Sequence, residues 1–427
     1  RSFSLFEAMT VAENVALGLD HAPSPRRLAP EIRRVAEDYG LPLDPDRDVH
    51  TLSVGERQRI EIVRALLQKP RLLIMDEPTS VLTPQEVGRL FATLRRLSAE
   101  GCSILYISHK LNEIIALCEA ATILRGGRVV AACDPRRETA GSMAQMMIGA
   151  ELRAPARRAG GGGGAPRLVV EGLDLPAADA HGVALKGVAL EVRAGEIVGV
   201  AGVAGNGQGE LEEALAGERL CARAEAIRID GRAAGRLGPD ERREAGLCVV
   251  PEERNGHGAV PGLTLVENAI LSAHHRRGLV AGGLIRFRKA RAFAAEIVRR
   301  FDVRTPGVDA AASNLSGGNL QKFVVGREIL QDPGVLVVSQ PTWGVDAGAA
   351  AAIHEALVRL AGEGAAVLVI SQDLDELLVL CDRLAVINVG ALSPARPTGE
   401  VSVEEIGLLM GGVHGVDPGP AGAAHAL

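Results

Sequence analysis

Short apolar runs closed by Gly, Pro or a charged residue recur at 71–75, 103–107, 196–200, 335–338 and 366–370. Runs without polar alternation predict strands buried on both faces of a parallel sheet. Between them, at 57–67, 85–97, 319–330 and 347–360, apolar residues recur at three- and four-residue spacing, which predicts amphipathic helices. Strands alternating with helices predict an α/β protein. The longest uninterrupted run of apolar residues and glycine, 197–205, is nine residues, whereas crossing a bilayer takes about 20.

The same order of segments occurs twice. Leu72-Leu-Ile-Met-Asp-Glu-Pro-Thr79 returns as Val335-Leu-Val-Val-Ser-Gln-Pro-Thr342, Leu52-Ser-Val-Gly55 as Leu315-Ser-Gly-Gly318, and Ile104-Leu-Tyr-Ile-Ser-His109 as Val367-Leu-Val-Ile-Ser-Gln372, each 263 residues later. Cys118 and Cys381 keep that spacing. Upstream, Thr10-Val-Ala-Glu-Asn14 matches Thr264-Leu-Val-Glu-Asn268 at a spacing of 254, so the second copy carries nine inserted residues between these points. The second copy reaches back to about Pro166; the same point of the first copy falls about 90 residues before Arg1, so the first lobe is expected to lack its start. Five consecutive glycines at 160–164 mark a flexible linker, since a nucleotide loop needs a strand before it and a helix after. The expected organisation is a first lobe over 1–152, a linker over 153–166, a second lobe over 167–412 and a flexible tail over 413–427.

Composition narrows the classes. A chain of 427 residues exceeds one ordinary core, and with aromatic residues at 2% the cores must be built from Ala, Val, Leu and Ile. A net charge of −6 argues against a nucleic-acid surface. Six Cys without a Cys-x-x-Cys pair argue against zinc and against a disulfide framework, and fit a reducing compartment. The opening residues do not read as a secretory signal.

Asp76 and Glu77 follow an apolar strand, which places two carboxylates at the carboxyl edge of a sheet, where open α/β folds bind ligands. Phosphoryl transfer uses one such group to hold Mg²⁺ and another to orient the attacking water, roles that fall to Asp76 and Glu77. The alternative is a helix N-terminus with acids in its first turn. Two neighbours favour the chemical reading. Leu52-Ser-Val-Gly-Glu-Arg-Gln58 is a turn that opens a helix and offers a hydroxyl and backbone N–H groups to an anion, and His109 ends the following strand. The order turn, Asp-Glu strand, strand-His occurs in both copies, but the second has Ser339, Gln340 and Gln372 in place of Asp, Glu and His.

Gly202-Val-Ala-Gly-Asn-Gly-Gln-Gly209 has the glycines of a phosphate loop, with Gln208 for its Lys and Gly209 for its Ser/Thr. The backbone could still cradle phosphate, without the charge on the β/γ-phosphates and the hydroxyl for Mg²⁺. A dinucleotide-binding reading fails, because Cys221-Ala-Arg stands where an acidic residue should end the second strand. The basic run 286–291, with Arg299 and Arg300, reads as a solvated helix face, with partner docking as the lesser alternative.

These motifs resemble the ATP-binding subunits of ABC transporters, in particular the fused double ATPases of bacterial simple-sugar and nucleoside importers. Leu315-Ser-Gly-Gly-Asn-Leu-Gln-Lys322 is similar to the family signature, 72–79 to its Walker B motif and His109 to its switch histidine. Leu-Ser-Val-Gly55, Asn319, Ser-Gln-Pro-Thr342 and the stretch 184–208 carry the narrower likeness, which covers everything except linker and tail. It implies two tandem P-loop NTPase lobes paired head to tail, the first incomplete, with each ATP between the Walker motifs of one lobe and the signature of the other. One site is then consensus: Glu77 and His109 catalytic, Asp76 on Mg²⁺, and Ser316, Gly317, Gly318 and Asn319 across from them. The other is degenerate: Gly202, Gly205, Asn206, Gly207, Gln208 and Gly209 face Ser53 and Gly55 and bind nucleotide at most. The first site's phosphate loop would precede Arg1, so residues 1–427 by themselves are expected to lack ATPase activity.

The implied cofactors are ATP and Mg²⁺. The implied partners are transmembrane permease subunits, docked near 3–17 and 252–270 at the cytoplasmic face of the plasma membrane, and indirectly an extracytoplasmic binding protein, with no nucleic acid. A soluble double ATPase acting on ribosomes or nucleic acid is the alternative from another class; Ser339-Gln340 and the glycine linker count against it. A non-catalytic remnant is the third reading. Leu-Ser-Val-Gly55 with Ser-Gln-Pro-Thr342 leans toward the nucleoside branch.

Overall fold

In the computed structural model the described residues are 5–52, 54–79, 82, 84–108, 110–125, 127–148, 163–178, 182–203 and 205–410. Most of the expected linker and all of the expected tail lie outside them. In the second half of the chain five parallel strands lie in the order Leu247–Val250, Val335–Ser339, Ala366–Ser371, Ile197–Ala201 and Arg383–Asn388. Every residue of Ile197–Ala201, Val335–Ser339 and Ala366–Ser371 is buried, as uniformly apolar runs require.

Side chains that alternate across these strands feed two cores. On one face lie an antiparallel sheet containing Pro166–Leu175 and Leu185–Arg193 and the helix Gln208–Ala216. From these, Leu168, Val170, Val188, Leu211 and Leu215 pack on Val335, Val337, Leu368, Ile370 and Ile387. On the other face the helices Leu265–Ala273, Phe287–Arg300, Gly317–Ile329 and Ala347–Gly362 bring Phe293, Ile297, Phe323 and Leu357 against Leu336, Val338, Val367 and Val369.

The first half repeats part of this plan. Leu72–Asp76 pairs in parallel with Ser103–Ile107, and Ala121–Arg125 forms a hairpin with Arg128–Cys133. In the second half, Ile197–Ala201 pairs with the counterparts of both Ser103–Ile107 and Ala121–Arg125. Among the described residues no strand joins them in the first half. The expectation that the strands at 71–75 and 103–107 are buried on both faces is therefore corrected. Leu73 and Met75 enter a core with Ile60, Val63, Leu90 and Leu94, but Leu72, Ile74, Leu105, Ile107 and Leu124 are 45–62% exposed. Their counterparts 263 residues later, Val335, Val337, Leu368, Ile370 and Ile387, are at most 2% exposed. The residues are alike; what differs is the layer above them.

Helices expected at 57–67, 85–97 and 319–330 span Val54–Leu67, Pro84–Ala99 and Gly317–Ile329. They begin earlier because the first turn tolerates Gly and Pro, its N–H groups having no partner within the helix. The two halves meet reciprocally. Pro84–Ala99 packs on Val403–Met410, and its counterpart Ala347–Gly362 packs on Ala140–Ile148, the counterpart of Val403–Met410. Lys110 Nζ lies 3.9 Å from Oδ2 of Asp373, its own counterpart. Such paired contacts define a local two-fold relation. No helix among the described residues is long and apolar enough to cross a membrane.

A buried charge cluster ties the helix Gly317–Ile329 to the helices Pro239–Glu244 and Leu265–Ala273. Glu328 is fully buried and accepts from Arg243 at 2.5 Å, Ser272 at 2.7 Å, Arg327 at 2.8 Å and Gln331 at 3.0 Å. Burial alone would raise its carboxyl, but Arg243 and Arg327, with the Ser272 hydroxyl, hold it at about 2. A carboxyl whose folded pKa lies below the unfolded value adds stability that is fully present above the unfolded pKa of about 4.3 and lost as pH falls toward 2. Calorimetry of the second lobe should show its melting midpoint falling across that window. Glu328→Gln should flatten the dependence and cost about 3–5 kcal/mol at neutral pH, since it removes the counter-charge of buried Arg327 and partly buried Arg243.

Candidate functional site

Asp76 closes its strand at the sheet's carboxyl edge and is exposed. Glu77 follows in the left-handed region, φ 50°, and its N–H donates to the Ile107 carbonyl at 2.8 Å. A left-handed residue other than glycine stores roughly 1–2 kcal/mol of strain, and it turns the chain sharply off the strand. Gln340 repeats this conformation, φ 46°, with its N–H on the Ile370 carbonyl at 2.7 Å. The backbone of the two edges is thus the same, and only the side chains differ. His109 and Ser53 lie outside the described residues, and Gly55 sits in the first turn of Val54–Leu67.

The second lobe's glycine-rich turn joins Ile197–Ala201 to Gln208–Ala216. Gly205 and Gly207 are left-handed, φ 81° and 112°, and a Cβ on Gly207 would press Gly390 Cα and Ile387 Cδ1 at 3.2 Å, so glycine is required there. Gln208 does more than omit a charge. Its Nε2 donates to the Val203 carbonyl at 2.8 Å and its Oε1 accepts the Asn206 N–H at 3.1 Å. The amide braces the loop from within and takes up an N–H that a phosphate would use. Behind it Glu212 is buried in the same helix; burial pushes its carboxyl up to about 7. Ser339 Oγ lies beside that carboxyl without reaching hydrogen-bond geometry.

At the signature, Ser316 caps the helix Gly317–Ile329 by its backbone alone. Asn319 Nδ2 donates to Ser316 Oγ at 2.8 Å, and Asn319 Oδ1 accepts the Arg304 N–H at 2.8 Å. The hydroxyl is therefore held off its own helix, whose leading N–H groups stay open at the positive end of the dipole. The atoms nearest a Cβ at Gly317 and Gly318 belong to Arg254, Gly344, Ala349, Asp346 and Val345, all of the second lobe. Each half of the expected cross-lobe site is thus placed on its own lobe: Asp76 and Glu77 on one, Ser316 to Asn319 on the other.

Residues 1–80 and 185–343 match the family model described as ABC transporter. The chain belongs to the ABC transporter family. It is 40% identical over 96% of its length to a glucose import ATP-binding protein, TsgD13, of Haloferax volcanii, of which it covers 74%. It is 37% identical to the nucleoside import ATP-binding protein NupA of Lactococcus lactis and 36% identical to the guanosine import ATP-binding protein NupO of Bacillus subtilis, covering 96% of this chain and 81% of each relative. Among solved structures, the archaeal ribosome recycling factor aABCE1, in complex with the stalk protein aP1, superposes with a TM-score of 0.62 at 20% identity, over 91% of this chain and 71% of that one. That likeness shows the shared fold.

This ABC ATPase also carries a pair of carboxylates that the motif reading passed over. Glu113 accepts from Thr79 Oγ1 at 2.6 Å, Tyr106 OH at 2.7 Å and Ser108 Oγ at 3.4 Å. Its counterpart Glu376 accepts from Thr342 Oγ1 at 2.7 Å and Ser371 Oγ at 2.8 Å, and lies 2.8 Å from His354 Nε2. Each therefore links the turn after the Asp-Glu or Ser-Gln pair to the turn that carries position 109 or 372. The 263-residue repeat could have revealed them; singly, each reads as an acid in a helix's first turn.

The two edges fit a divalent cation differently. Asp76 offers hard carboxylate oxygens at an exposed strand end, the donor type Mg²⁺ takes beside phosphate. Ser339 and Gln340 are neutral, and Gln208 is occupied by its own loop, so the second edge fits Mg²⁺ poorly. If Glu113 fixes the distance between the Walker and switch turns, Glu113→Ala should lower turnover of the assembled ATPase about tenfold, or 1.4 kcal/mol of barrier, with KM for ATP little changed. Steady-state kinetics should show Glu376→Ala to be far milder.

Proposed function

We propose that the chain is the ATP-binding subunit that energises import of a simple sugar or nucleoside, working with transmembrane permease subunits at the cytoplasmic face of the membrane. The relatives named for glucose, nucleoside and guanosine import support this reading. The observation that supports its mechanism is the contrast between Glu77 and Gln340 at positions that share a left-handed φ and the same backbone hydrogen bond. ATP is hydrolysed at one site only. Asp76 would hold Mg²⁺, which when bound would supply positive charge beside the phosphates. Glu77, turned off the strand by its left-handed backbone, orients the attacking water with His109. Ser316, Gly318 and the open helix start bring N–H donors from the other lobe as the lobes close. The Gln208 loop holds the second site as a structural half. The aABCE1 likeness favours no ribosomal role, being one of fold.

In proteoliposomes carrying the importer assembled with a chain that includes the first lobe's phosphate loop, Glu77→Gln should abolish uptake and trap bound ATP, a loss of about 10³ or more in turnover. Gln340→Ala should change turnover less than threefold; equal losses would sink the one-site reading.

The cross-lobe pairing has its own test. A Cβ at Gly318 meets ordinary contacts at 3.6 Å, so Gly318→Asp fits, beside Asp346 and where a γ-phosphate would approach. Repulsion in a poorly solvated cleft is little screened, so Gly318→Asp should reduce ATPase activity far more than Gly55→Asp. The reverse order would assign the signature to a different partner.

A further inference from the structure

Most of the insertion that distinguishes the second copy falls in one connection and forms a small element there. Seven residues, 18–24, join the helices Val11–Leu17 and Pro25–Asp38 in the first lobe, whereas thirteen, 274–286, join their counterparts Leu265–Ala273 and Phe287–Arg300. Within the thirteen, Val280–Ala281 pairs antiparallel with Leu284–Ile285 across Gly282 and Gly283, φ 58° and 75°. Two left-handed glycines make the two-residue turn that matches strand twist, so the hairpin is a defined projection.

Its surface is unusual for this molecule. Residues 282–289 are all exposed, with Leu284 at 75%, Phe287 at 58% and Ile285 at 45%. Interleaved with them are Arg286, Arg288 and Lys289, which have no ion-pair partner among the described residues. By contrast Arg291 is paired with Asp309, and Arg277 with Glu296 and Asp332. From Asn268 to Ala295 there is no acidic residue, in a chain whose net charge is −6. An apolar tip set among unpaired cations suits the boundary between lipid headgroups and acyl chains of an anionic bilayer, where the rings and branched chains sink and the cations meet phosphates. A protein groove would have to bury three cations against an acidic partner as well as the apolar tip; a lipid surface supplies both environments at once.

We propose that the hairpin Val280–Ala281/Leu284–Ile285 and the first turn of Phe287–Arg300 form a contact with an anionic membrane surface, Leu284, Ile285 and Phe287 inserting and Arg286, Arg288 and Lys289 binding lipid phosphates. The contact is a property of this chain alone and stands apart from the import reading.

The purified chain is mixed with vesicles of phosphatidylcholine, alone or with phosphatidylglycerol, and sedimented. Binding should be roughly tenfold tighter to the anionic vesicles and weaken as salt rises. Leu284→Glu with Phe287→Glu should remove it, as should Arg286→Glu with Arg288→Glu and Lys289→Glu. All five side chains are exposed, so the melting midpoint should stay within about 2 °C of the parent, which separates lost contact from lost fold. Binding left intact by either variant, or no binding to anionic vesicles, overturns the proposal. Binding only to vesicles that carry the permease would overturn it in favour of a protein partner.

Discussion

The strand Ile197–Ala201 is the constraint on which the second lobe depends. It is hydrogen-bonded on both sides, to Ala366–Ser371 and to Arg383–Asn388, and so turns separate pairs into one sheet. It also aims the glycine turn, seats the helix Gln208–Ala216 and gives the antiparallel sheet a surface to cover. Where the first lobe pairs Leu72–Asp76 with Ser103–Ile107 without that neighbour among the described residues, the same apolar side chains face outward. Burial here belongs to the assembly of layers rather than to any strand. An apolar run is only eligible for a core; a second surface must supply the hydrophobic stabilisation of about 25 cal/mol per Å².

Duplication gives this ABC ATPase a symmetric frame and an asymmetric chemistry. The reciprocal helix contacts, the Lys110–Asp373 approach and the paired Glu113 and Glu376 networks all respect the two-fold relation. The departures are side chains at fixed backbone positions: Gln340 for Glu, Ser339 for Asp, Gln208 in the loop, and the hairpin added to one copy. Charge drives the contrast. The first edge keeps two carboxylates, while the second replaces them with neutral groups: Gln340 accepts from Ser371 Oγ and the Gln372 N–H, and Ser339 Oγ makes no hydrogen bond among the described residues.

Much of this was legible in the residues. The alternation of runs and helices, the 263-residue spacing and the Asp76-Glu77 strand end are local patterns, and local patterns survive folding. Three features were not. The one-sided exposure of Leu72 and Ile74 depends on a neighbour distant in sequence. Gln208 reads as a lost lysine, and its second role appears only when Gly205 and Gly207 curl the loop around it. Glu113 looks like any first-turn acid until Thr79 and Ser108, at the ends of two strands, are seen to converge on it. For the strands and Glu113 the missing information is contact between elements far apart in sequence; for Gln208 it is the path of the loop itself, whose bonds run only two and five residues.

The left-handed turn at Glu77 and Gln340 separates folding from chemistry at a single point. In both copies the conformation is held from outside by a neighbouring strand's carbonyl, so Glu and Gln bear nearly the same strain and neither side chain is needed to form the turn. An exchange at that position can silence one site while leaving the architecture intact. Gene duplication followed by such an exchange is thermodynamically quiet, and a two-site machine can become a one-site machine without passing through an unfolded intermediate form.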